Sequence, residues 1–136
     1  MDFGWWHTSP GELPGARLRT IFEGVQELVD RHGPDAVALE ESFVGADART
    51  ALSVGQARGA VLVASALAGV ECAEYAPSRV KQAVCGYGRA EKAQVTRMVQ
   101  TILAMRAPPE STHASDALAV AICHALGPPL LKMAVS

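Results

Sequence analysis

Apolar residues recur at Leu18, Ile21, Phe22, Val25, Leu28 and Val29, three and four apart, with charge on the opposite face. That period predicts an amphipathic helix, and Gly33-Pro34 stops it. The next apolar run, Ala36 to Leu39 between Asp35 and Glu40, is too short for a helix and predicts a buried strand over 35–40. Asp47 can cap a helix running to about Ala68. Gly69 ends it, and the alternation from Val70 to Tyr75 predicts another strand. Pro77-Ser78 opens a short helix ending at Cys85, closed by Gly86-Tyr87-Gly88. Residues 90–105 read as an amphipathic helix with Val95, Met98, Val99, Ile102 and Leu103 on one face. Pro108-Pro109 separates it from a last helix at about 112–126, and Gly127-Pro128-Pro129 releases a short tail. Upstream, residues 2–8 alternate loosely around Trp5 and Trp6 and predict a strand. Strands alternating with helices imply an α/β domain with parallel pairings, though about three strands is few for such a sheet.

At 136 residues the chain has the length of one domain with a sizeable core. Its 49% hydrophobic content with 5% aromatics describes a core of Val, Leu and Ala. No run of 18 uncharged apolar residues predicts a membrane span, and the start carries no secretory signal. Cys72, Cys85 and Cys123 are odd in number and lack Cys-x-x-Cys spacing, so they read as reduced thiols of a cytoplasmic protein without structural zinc.

The net charge of −2 argues mildly against a nucleic-acid binder. Its distribution changes that picture. Between Asp47 and Arg106 lie eight Lys or Arg against four acids, a local +4, while the remainder carries −6. A basic middle beside an acidic cluster can hold a polyanion against a metal site, or the charges can simply be solvated helix faces. The predicted 47–68 helix is rich in small residues, among them Gly55, Gly59, Ala60 and Ala64. Such a surface suits close intramolecular packing or a homodimer seam.

Glu40 stands at the carboxyl end of a predicted strand, where ligands collect in open α/β sheets. Seen alone, Glu40 and Glu41 could equally be the chain leaving the core for solvent. His113 and Asp116 are three apart, which puts them on one helix face, and both are expected in the first turn. An imidazole and a carboxylate one turn apart suit a divalent cation, although Asp is favoured at helix starts regardless. Phe43, just past the strand, reads as a buried loop anchor or as a stacking surface for a base. Lys81 and Lys92 flank the Gly86-Tyr87-Gly88 turn, where phosphate contact is one reading and an ordinary surface the other.

Five collinear stretches resemble the RuvC family of Holliday-junction resolvases, within the RNase H-like superfamily. They are residues 35–40, 52–59 (Leu52 to Gly59), 75–82 (Tyr75 to Gln82), 86–92 (Gly86 to Lys92) and 113–119 (His113 to Ala119). Their order and spacing hold from about Leu13 to His124. The resemblance implies a mixed RNase H-like sheet flanked by helices. It implies a structure-specific endodeoxyribonuclease that nicks four-way junctions in recombination and repair by metal-dependent phosphodiester hydrolysis. Glu40, His113 and Asp116 would be the catalytic metal ligands, with His113 either binding metal or orienting water. The cofactor would be Mg²⁺, two per site, with Mn²⁺ as an alternative. Phe43, Lys81 and Lys92 would contact DNA. The small-residue helix would lie in a homodimer, and the partners would be junction DNA and the RuvA–RuvB branch-migration complex.

The family begins with a strand running into an Ile-Asp-Pro-Gly-like motif whose Asp is another metal ligand, and this chain has no such motif. The expectation is therefore one RNase H-like domain over 1–136 lacking its first two strands, as in a truncated chain. The alternatives to a working resolvase are a junction-binding form impaired in cleavage, or an RNase H-like nuclease for another DNA structure.

Overall fold

The computed structural model describes residues 6, 8–41 and 47–127. Its elements are α1 (Pro14–His32), β1 (Ala36–Glu40), α2 (Ala48–Leu67), β2 (Glu71–Tyr75), α3 (Pro77–Cys85), α4 (Lys92–Ile102) and α5 (Thr112–Leu126). β1 and β2 pair in a small parallel sheet joined through α2. The strand expected at 2–8 lies outside the described residues, apart from Trp6 and Thr8, which belong to no strand.

Two compact units make up the chain. One contains α1 and α2 with the first residues of each strand. α1 begins on Pro14, whose fixed φ suits a first helical position, and ends on Gly33 at φ 54°, whose N–H reaches Val29 O. Val25 and Val29 from its apolar stripe pack with Ala64, Phe22, Val37, Val61 and Val70. Leu28, expected on the same face, is more than a third exposed. Gly24 is required by a close approach: a Cβ there would fall 2.4 Å from the Trp6 ring. α2 is capped as expected, with Thr50 N donating to Asp47 Oδ1 at 2.7 Å. By length and composition α2 would pass for a membrane span, yet Arg49 and Arg58 interrupt it and Ala64 and Ser65 are buried.

The other unit contains the carboxyl ends of both strands and α3, α4 and α5. Its core is Ala73, Tyr75, Val80, Val84, Ala90, Val95, Val99, Ala119, Val120, Ile122 and Cys123. α4 is shorter than the 90–105 expected. It starts only at Lys92, and Ala104 at φ 52° turns the chain out of the helix after Leu103. α5 is capped by Ser111, which accepts from Ala114 N, and buries one continuous face from Ala114 to Cys123. The Tyr75 hydroxyl and His124 Nδ1 lie 2.6 Å apart, bonding the far end of α5 to β2. Burial pushes the thiols of Cys85 and Cys123 up, so both stay protonated at neutral pH.

Two outcomes test this packing. Val99 is fully buried, so Val99→Ala should cost about 2 kcal/mol in denaturant unfolding, from two lost methyl groups plus a cavity. Hydrogen bonds from Thr50 hold the Asp47 carboxyl below its ordinary 3.8, so its contribution is present above that value and is lost as pH falls through the lower folded one. Asp47→Ala should therefore melt earlier than the parent protein at pH 7, with the gap closing in acid below 3.8.

Candidate active site

Glu40 ends β1, and the pairing continues past it, because Glu41 N donates to Tyr75 O at 2.7 Å. The residues before Glu40 are apolar and half-buried, so the strand emerges from the core with the carboxylate at its lip. β2 ends beside it at Tyr75, and Pro77 turns the chain directly into α3. Lys81 then falls on the second turn of α3, half-buried. Lys92 is the first residue of α4, and Asp116 sits half-buried on α5.

These four side chains converge electrostatically. Burial pushes the Glu40 carboxyl above its ordinary 4.5, and the negative charge of Asp116 pushes it further; Lys81 and Lys92 pull it back down. All four belong to the same compact unit. Two carboxylates in one partly desolvated field, offset by two lysines, form a hard-oxygen donor set that fits a divalent cation.

Not every expected residue joins them. α5 starts at Thr112, so His113 lies in its first turn but Asp116 in its second, and no acidic residue occupies the first turn. Asp116 therefore owes little to the helix-terminal dipole. His113 is exposed, and among the described residues no three of His, Cys, Asp and Glu converge as a metal cluster. Phe43 lies outside the described residues. Two residues went unnoticed in the sequence: Ser115, 2% exposed, and Thr96, whose hydroxyls lie 3.0 Å apart between α5 and α4. Only the departure of Ser115 from an otherwise apolar helix face could have flagged it.

A carboxylate at the end of a parallel strand and another on α5, with two lysines acting on the first, suit a metal-dependent nuclease of the RNase H-like fold. Residues 2–124 match the family described as crossover junction endodeoxyribonuclease RuvC, and the chain belongs to that family. Among its curated relatives, the RuvC of Moorella thermoacetica is 52% identical over 118 residues, which cover 87% of this chain and 71% of that protein. The RuvC of Chloroflexus aggregans is 46% identical over 132 residues, 97% of this chain and 80% of the relative. The solved structure of Thermus thermophilus RuvC superposes with a TM-score of 0.84 at 42% identity, covering 96% of this chain and 76% of that one. The same protein in complex with a Holliday junction substrate gives a TM-score of 0.81 at 41% identity, covering 89% and 74%.

The raised Glu40 carboxyl has a thermodynamic consequence. The cation-free folded protein holds that proton more tightly than the unfolded chain, so the group's stabilisation is full below 4.5 and is lost as pH rises through the higher folded value. In EDTA at pH 7, Glu40→Gln should therefore melt above the parent protein, and the difference should vanish below pH 4.5. An unchanged melting temperature at pH 7 would contradict the destabilisation of ionised Glu40 by burial and by Asp116.

Proposed function

We propose that this chain nicks four-way DNA junctions by divalent-metal-dependent phosphodiester hydrolysis. The observation that carries the reading is the half-buried Glu40, sharing one field with Asp116, Lys81 and Lys92. Family membership and the similarity to a junction-bound relative support it.

Glu40 and Asp116 would hold the cations, Mg²⁺ or Mn²⁺, two per site. When bound, they supply Lewis-acid polarisation of the phosphate and neutralise charge that develops at the cleaved bond. The protein's own side chains do the rest. Lys81 and Lys92 bind phosphates on either side of the cut and keep the backbone against the carboxylates. Half-burial of Glu40 limits water around the site and strengthens each charge–charge contact within it. His113, exposed at the helix start, joins the cation or orients a water. Phe43, three residues past Glu40, would stack at the junction centre.

A junction has two strands to cut, so a homodimer with two sites fits the task. Leu52, Val63 and Leu67 leave apolar surface exposed on α2, 63%, 53% and 69% respectively, which supports that helix as the dimer seam. A branch-migration complex of the RuvA–RuvB type is the partner consistent with the family, and the protein would work in the compartment that holds the DNA. One observation favours a second reading, junction binding with weak cleavage: two carboxylates without a third ligand among the described residues make a sparse paired-metal site.

Synthetic four-way junctions in Mg²⁺ separate these. Robust, paired nicking supports the first reading, whereas tight binding without nicks supports the second. Glu40→Gln should lower the nicking rate by at least about a hundredfold while leaving junction affinity in EDTA nearly unchanged. Lys81→Ala and Lys92→Ala should each weaken binding and reduce the salt-dependence slope by about one. Equal affinity for junction and linear duplex would sink the resolvase reading.

A further inference from the structure

α4 and α5 pack together, and Val95 and Val99 of α4 share one buried apolar cluster with Ala119 and Val120 of α5. Such contacts attract without direction, so the fit of small side chains alone sets how the two helices sit. A directional contact adds to them. Thr96 Oγ1 and Ser115 Oγ lie 3.0 Å apart, and Ser115 is 2% exposed. Burying an unpaired hydroxyl is costly, and the contact with Thr96 satisfies Ser115 across the helix interface.

The position of the pair gives it a consequence for the site. Thr96 is four residues beyond Lys92 and so on the same face of α4, one turn from it. Ser115 immediately precedes Asp116 on α5. The two ends of the bond are thus attached, each within one helical turn, to a lysine and a carboxylate that both act on Glu40. Every one of these residues belongs to the same compact unit.

We infer that the Thr96–Ser115 hydrogen bond is a register lock that positions Lys92 and Asp116 against Glu40, making both hydroxyl residues positioning residues of the site. The inference rests on the functional reading above for its effect on nicking, but not for its effect on structure. A misplacement of about 1 Å can cost a reaction two orders of magnitude, so a loosened register should be felt in the rate before it is felt in binding.

The test uses the full chain with Ser115→Ala, Thr96→Val, the double variant and Thr96→Ser. Single-turnover nicking at saturating junction should fall about tenfold in each single substitution, with half-saturating junction concentration within about twofold of the parent. The double variant should be no slower than the slower single, because both remove one interaction. Thr96→Ser, which keeps the hydroxyl, should restore the rate. Independently of activity, Thr96→Val should shift the Asp116 amide resonance on the opposite helix, and Ser115→Ala should shift that of Lys92. Unchanged rates, or a Thr96→Ser variant as slow as Thr96→Val, would overturn the lock. If the parent protein does not nick junctions, the functional reading falls instead. The lock is then judged by the cross-helix shifts alone, and their absence refutes it.

Discussion

The Glu40 carboxylate, desolvated by burial and exposed to the charge of Asp116, is the constraint on which the arrangement around the site turns. Burial and a second carboxylate both push Glu40 toward its neutral form, which a cation-binding group must resist. Lys81 and Lys92 supply the opposing field, and they arrive from two other helices. β1, α3, α4 and α5 thus each contribute a charged side chain to the balance at Glu40. The strand pairing that carries Glu41 N to Tyr75 O, and the immediate turn from β2 into α3 at Pro77, bring the first two there.

The cost of such a site falls on the rest of its unit. Like charges held together destabilise the cation-free fold, and the surrounding core must offset this. That core is dense in small side chains: Val80, Val84, Val95 and Val99 against Ala119, Val120, Ile122 and Cys123. Small residues let helices approach closely but specify register poorly. The buried hydroxyl pair and the Tyr75–His124 bond supply direction where dispersion supplies only attraction. Bonds near both ends of α5 tie the helix that carries Asp116 to α4 and to β2.

Much of this was legible in advance. The periods of α1 and α4, the Asp47 cap, the Gly33-Pro34 stop and the Pro77 start are local signals, decided by backbone sterics and by hydrogen bonds a few residues long. The resolvase resemblance was likewise carried by short collinear stretches, and family membership bears it out. Helix ends were less legible. α4 begins two residues later and ends three earlier than its apolar period suggested, whereas α5 runs over Thr112–Leu126 as expected. The positive φ of Ala104 decided the end of α4, and capping by Ser111 fixed the start of α5.

The sequence by itself determined which residues could carry the chemistry, because a carboxylate after an apolar run and a His-x-x-Asp spacing are properties of the chain. It could not determine which of them meet. Glu40 and Asp116 are 76 positions apart in numbering, and only the packing of α5 against β2, α3 and α4 brings their charges within range. Coulomb interaction depends on distance and local dielectric, and both are set by folding. The same reason hid Ser115 and Thr96: a serine in an alanine-rich helix becomes a lock only when a second helix presents a hydroxyl 3.0 Å away.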